Sequence, residues 1–308
     1  EIASVRHDVI VLGILRNSER GWDVCLLAPS ETRVAEGDRV VMMARDYSET
    51  EPATKKPALP EITRQQAEPS TPLPKQTGHR ILVLGWNRRV PNIVAEFASY
   101  RHRRFELDLV SVVSPTERDQ AIERYVGIPP GIECRHIEAD YMVEGELRRI
   151  QPASYDTIML LSSDRLASGE EADARAMVGF LQLEDILAES SRRPQLILEL
   201  SDPHNRQLLE GNQAEMMISP MILSHILAQV ALRRELRVVL DELFTVGGAE
   251  IQFRDPRDYP LPASTTFQLL EKTLAAGGEI ALGVYRESGD QRGRHLQMNP
   301  LRSWWCCA

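Results

Sequence analysis

Short apolar runs alternate with helical patterns from His79 to Pro220, and this alternation restricts the fold more than any other feature of the chain. Ile81–Leu84, Leu107–Val113, Ile132–Ile137, Thr157–Leu161, Gln195–Leu200 and Glu215–Ser219 read as strands. Between them, Pro91–Arg101, Glu117–Val126, Glu144–Ile150 and Glu171–Glu189 carry apolar residues at helical spacing, such as Ile93, Val94 and Phe97. Strands that are apolar throughout, separated by helices, form a parallel sheet covered on both faces. The expectation is a doubly wound, Rossmann-like α/β domain over 79–220.

The flanks have a different character. Residues 1–47 hold three β-type runs, V-I-V-L-G-I-L, V-C-L-L-A-P and E-G-D-R-V-V-M-M-A, the last fed by a Gly-Asp turn. So small a lobe buries little core by itself and should pack on something else. Residues 48–78 contain six prolines and no apolar periodicity, as an extended linker does. Residues 221–243 read as one long helix, too apolar for a solvated surface helix, that leaves the Rossmann domain and packs on a neighbour. The tail, 244–308, repeats the start. A-L-G-V-Y-R-E pairs Gly283 with Gly13 and Arg286 with Arg16, and Pro300 with Pro29. Two copies of one small β lobe therefore bracket the Rossmann domain. The second copy ends in Trp-Trp-Cys-Cys where a strand like Val40–Met43 is expected. Because Trp and Cys codons both begin TG, reading two bases later turns this end into an apolar run, which suggests a frame-shifted strand.

Several function classes are excluded early. A formal net charge of −9 argues against a general nucleic-acid binder, which usually shows a basic face. No apolar run reaches the 18 or so residues of a membrane span. The start, E-I-A-S-V-R-H-D, has no signal-peptide pattern and reads as a cut within a longer chain. Cys25, Cys134, Cys306 and Cys307 form no C-x-x-C pair, so reduced thiols are expected rather than a zinc or redox site. No H-E-x-x-H, G-x-S-x-G or other nucleophile constellation occurs, and the chain reads as a non-enzyme.

The first strand runs into I-L-V-L-G-W-N-R-R-V, residues 81–90, where a dinucleotide site would continue G-x-G-x-x-G. Gly85 is kept, but Asn87 and Val90 replace the second and third glycines. Asn87 tolerates positive φ and could still make the turn. Val90 would hold helix and strand apart, and the second strand ends near Ser114 with no ribose-binding carboxylate. NAD is therefore not expected, and the turn reads as a degenerate nucleotide site. Arg88 and Arg89, beside a helix N-terminus, suit either an anion or pairing with acidic neighbours or a partner subunit. Asp140, Ser162 and Asp164 follow the third and fourth strands, where open α/β sheets place ligands. Helix capping is the commoner use of Ser and Asp there. Calcium needs six to eight oxygens. The acidic spots at Asp255, Asp258, Glu170, Glu171 and Asp173 include no EF-hand loop and read as solvated faces.

The layout of Rossmann lobe, crossover helix and small lobe resembles the RCK (TrkA-type) regulatory domains of potassium channels and transporters. I-L-E-L-S-D-P-H-N-R-Q-L-L-E-G-N-Q-A-E-M-M-I-S-P, residues 197–220, looks like the end of such a Rossmann lobe. A narrower resemblance is to the CASTOR/POLLUX ion channels, whose second module opens on a strand followed by G-W-R-R. Y-D-T-I-M-L-L-S-S-D and V-L-D-E-L-F-T-V-G-G-A-E-I-Q-F-R-D-P-R-D-Y are similar to that family too. The resemblance implies a regulatory region on the cytosolic face of a membrane, assembled as a homo-oligomeric, tetrameric ring. It also implies a pore segment upstream of Glu1 and, through ion-regulated gating, Ca²⁺ as a candidate ligand. The competing expectation is an NAD-sensing, TrkA-like subunit of a potassium transporter.

Overall fold

The computed structural model describes residues 9–18, 21–29, 32–44, 78–100, 103–126, 132–209, 214–245, 247–262, 264–287, 294–298, 300 and 305–307. The proline-rich segment 48–78 lies outside them except for Gly78. The chain divides into two units: residues 73–234, and residues 1–72 together with 235–308.

In the second of these units, β1 (Val9–Ser18), β2 (Gly21–Leu26) and β3 (Arg39–Ala44) form an antiparallel sheet in the order β2-β1-β3. Gly13 sits opposite Leu26, so close to the facing strand that a Cβ would lie 2.1 Å from the Cys25 carbonyl oxygen. Arg16 leaves the same strand and donates to both carboxylate oxygens of Asp38, at 3.2 and 3.1 Å, pinning the turn that leads into β3.

The parallel sheet fills the other unit. Its elements in chain order are β4 (His79–Leu84), α1 (Val90–Ser99), β5 (Phe105–Ser111), α2 (Pro115–Val126), β6 (Ile132–Glu138), α3 (Glu144–Ile150) and β7 (Thr157–Leu160). There follow α4 (Gly169–Ala188), β8 (Gln195–Leu200), β9 (Glu215–Ile218) and α5 (Ser219–Leu232). The strand order β6-β5-β4-β7-β8-β9, all parallel, is the doubly wound arrangement expected from the alternation. Strand periodicity explains why the runs are apolar throughout. Ile81 and Val83 face a core with Val90, Val94, Leu107 and Leu109, whereas Leu82 and Leu84 face one with Phe180, Leu183 and Leu198. Gly179 on α4 lets that helix close on Tyr141, whose ring carbons would be 2.7 Å from a Cβ there.

The segment 221–243, expected as one helix, is two. α5 stops at Leu232, and α6 (Leu236–Phe244) begins after a break at Arg233, whose φ of −142° and ψ of 86° are not helical. The division between the two units falls at this break. The Arg233 guanidinium turns back to Gln229 at 3.0 Å. Arg-Arg-Glu are ordinary helix formers, so propensity gives no warning of the break. Within its unit α6 packs against β2, burying Val239, and Arg39 of β3 reaches Glu235 at 2.6 Å and stacks on Trp22 at 4.8 Å. This supplies the outside support that the amino-terminal sheet was expected to need.

The remaining elements are β10 (Ser264–Thr266), α7 (Phe267–Ala276), β11 (Gly283–Glu287), β12 (Arg294–Met298) and β13 (Trp305–Cys307). β11 and β12 form a hairpin in which Gly283 faces Met298 and Arg286 faces His295, matching Gly13 opposite Leu26 and Arg16 opposite Asp23. A Cβ on Gly283 would lie 2.3 Å from the Gln297 carbonyl oxygen, the same contact as at Gly13. The terminal Trp-Cys-Cys residues do form a strand, but β13 pairs with β10 rather than with the hairpin. Phe267, Leu270 and Ala281 make the small core beneath.

Candidate functional site

The site predicted from sequence lies at the carboxyl edge of the parallel sheet. From the central strand β4 the chain builds the sheet outward on one side through β5 and β6, then crosses over to continue on the other side through β7. This is the switch point where α/β folds open a crevice.

Gly85 makes the first turn with φ of +98°, and a Cβ there would lie 2.7 Å from the Leu161 carbonyl oxygen. Asn87 follows, fully buried and without the positive φ that Asn tolerates. Its side chain is the reason. Oδ1 accepts the Arg89 N–H at 2.9 Å, while Nδ2 donates to the Ser162 carbonyl at 2.8 Å and to Glu199 at 3.3 Å. The space a glycine would leave for a pyrophosphate is thus occupied by an amide that joins β4 to β7 and β8. Trp86 and Val90 are buried in the adjoining core, with Pro91 in the first turn of α1. These residues do not fit a bound dinucleotide.

Both arginines are engaged. The Arg88 backbone N–H and Nε donate to one oxygen of Asp164, at 2.9 and 3.0 Å. Partial burial pushes the Asp164 carboxyl up, but the Arg88 N–H and guanidinium outweigh it and hold the group below its ordinary range. Arg89 reaches the buried carboxylate of Glu199 at 2.7 Å. Arg165, beyond β7, pairs with Glu117 on α2, and Arg175 on α4 meets Asp140 at 2.9 Å. Four ion pairs therefore lace the loops around the crevice.

Helix capping, the commoner use of Ser and Asp, accounts for one position among those predicted. Ser114 accepts the Glu117 N–H at 3.4 Å at the start of α2. Asp140 instead accepts the Met142 N–H and Arg175, and α3 has Val143 at its N-cap. Asp164 does not cap α4, which has Ser168 accepting the Glu171 N–H. The buried Ser162 hydroxyl lies 3.4 Å from both Asp173 and Ser201.

Three important groups carried little or no sequence signal. Glu199, in the apolar run L-I-L-E-L, accepts from Arg89, Asn87 and the Ser219 hydroxyl, so one carboxylate joins the β4 turn, the end of β8 and the first residue of α5. A charge inside an apolar strand was the available clue. Asp173, read as part of a solvated acidic face, is fully buried. It accepts the N–H groups of Ser201 and Asp202 and the Asn205 amide, fixing the loop after β8. Arg118 is also fully buried, donating to the carbonyls of Leu109 and Ile137, with its Nε unpartnered. Burial pushes its guanidinium below the ordinary value. Among the described residues no three His, Cys, Asp or Glu side chains gather as a metal site.

The parallel sheet with its small antiparallel sheets is a fold shared with a solved gating ring. The human SLO3 gating ring superimposes with a TM-score of 0.65 over 98% of this chain and 60% of that one, at 14% identity. No family model matches the sequence. It is nonetheless similar to named channels. The probable ion channel CASTOR of Oryza sativa subsp. japonica is 24% identical over 277 residues, 78% of this chain and 30% of that protein. Ion channel CASTOR of Lotus japonicus is 25% identical over 272 residues, 76% and 31%. The probable ion channel POLLUX of Oryza sativa subsp. japonica is 22% identical over 334 aligned positions, 96% and 34%. The chain spans about a third of the length of these relatives. Among the described residues no helix is long and apolar enough to cross a membrane.

Proposed function

We propose that the chain is the cytosolic regulatory, gating-ring region of a CASTOR/POLLUX-like cation channel, without enzymatic activity of its own. The observation that carries this reading is the similarity to CASTOR and POLLUX channels over 76–96% of the chain, joined to a gating-ring fold. The pore would belong to another part of the same protein, and several copies would assemble as a tetrameric ring on the cytosolic face of the membrane.

The regulatory crevice would be the one formed by Gly85, Trp86, Asn87, Arg88, Arg89, Ser114, Asp140, Ser162 and Asp164. Its arginines are held by carboxylates, so a ligand or ion acts by exchanging partners rather than by filling an empty anion site. Taking Arg89 from Glu199 would loosen the tie between that carboxylate and Ser219, the first residue of α5. Helix α5 has no buried residue and presents Met221, Ile222, Leu223 and Leu227 to the outside, which suits it to carry the change to a neighbouring copy. Calcium is a candidate ion through the carboxylates freed in such an exchange.

Recording the full-length protein in planar bilayers tests the proposal. Conductance is expected, with an open probability that Glu199→Gln shifts. Absence of any conductance in the full-length protein would overturn the channel reading. An unchanged ligand response in Glu199→Gln would overturn the coupling route.

A further inference from the structure

A cavity lies away from the carboxyl-edge residues, beside the start of β4. It has a volume of about 440 Å³ and is lined by Arg80, Arg135, Arg149, Ile137, Ile150 and Tyr155, with Gln151 and Ser154 completing the rim. Arg80 is the second residue of β4, Arg135 lies on β6, Arg149 is in the last turn of α3, and Tyr155 precedes β7. Three guanidinium groups from three elements thus face one space in a chain whose net charge is −9. Among the described residues no carboxylate lines it.

Two of the three arginines are positioned by the protein. Asp108 accepts Arg135 through both of its oxygens and also the Tyr155 hydroxyl. The Arg80 guanidinium lies 4.7 Å above the Tyr155 ring, donates to the Ser154 carbonyl at 3.1 Å and touches the exposed Glu106 at 3.4 Å. Burial, followed by the bond to Asp108, pushes the Tyr155 phenol up to about 12, so it stays a neutral donor engaged with Asp108. Arg149 is exposed and, among the described residues, has no side-chain hydrogen bond or ion pair. Asp156 is nearby but is held by the Arg80 backbone N–H and by Arg192.

Planar guanidinium forks recognise phosphate oxygens in pairs, and arginines pre-set by stacking and ion pairing lose little freedom when they bind. The volume falls within the range of small-molecule sites, and Ile137 and Ile150 provide an apolar wall for an organic portion. We propose that this cavity binds a phosphate-bearing small molecule, with Arg80, Arg135 and Arg149 as its anion-binding groups. The site does not depend on the carboxyl-edge crevice.

Isothermal titration of the 308-residue chain with inorganic pyrophosphate, at about 50 mM salt to limit screening, tests it. Saturable binding is expected. Arg149→Glu should weaken it at least tenfold and Arg149→Lys only slightly. Arg149 is exposed and unpaired, so circular dichroism should find both variants folded. Arg124→Glu, exposed on α2 and outside the cavity, should bind like the parent chain. No saturation up to about 5 mM pyrophosphate, equal affinity in Arg149→Glu, or loss of binding in Arg124→Glu as well would each overturn the assignment.

Discussion

Gly85 and Glu199 do most at the level of single residues. Gly85 combines a positive φ with a carbonyl oxygen 2.7 Å from where a Cβ would sit. Gly85→Ala should therefore cost about 2–4 kcal/mol, read from urea unfolding. Glu199 is buried and shared by three donors. Glu199→Ala should destabilise by about 1–3 kcal/mol, since it strands the Ser219 hydroxyl and the Asn87 amide, while Glu199→Gln should recover part of that loss. Sequence could place Gly85, because a strand-to-helix turn demands a residue free to take positive φ. It could also exclude the glycine-lined pyrophosphate cradle. It could not pair Arg88 with Asp164 or Arg89 with Glu199, because those partners lie 76 and 110 positions away and meet only through the strand order.

Among the elements, β6 carries the clearest dependence on pH. His136 is half-buried against α2, its Nε2 2.7 Å from Asp119 and its Nδ1 without a partner. Burial pushes the imidazole below its ordinary 6.5, and Asp119 offsets this only in part. The unfolded chain then takes up the proton first. Stability should fall as pH drops below about 6.5 and level off beneath the folded-state value. Melting temperatures between about pH 7.5 and 5.5 should show this slope, and His136→Gln should flatten it; an identical slope in the variant would assign the effect elsewhere. Helix α5 has its own test. Leu223→Glu with Leu227→Glu changes exposed positions and should leave the fold intact while shifting sedimentation toward the monomer. Strands and helices of the Rossmann unit were readable because their periods differ. The break at Arg233 was not, because it follows the division of the chain into units rather than local propensity.

For the whole molecule, residues 73–234 contain all six strands of the parallel sheet and both of its large buried clusters. A chain limited to them should fold cooperatively by circular dichroism, and a non-cooperative melt would show that it needs the small lobes. Those lobes share one detail that reaches beyond packing. Gly13 and Gly283 each press against a facing carbonyl that leaves no room for a side chain. Every missense change at either codon should therefore be deleterious, which makes the two glycines a matched pair of markers for genetics. If alleles at Gly13 and Gly283 give separable phenotypes, the two copies of this hairpin, alike in their glycine contacts, have come to serve different parts in the cell.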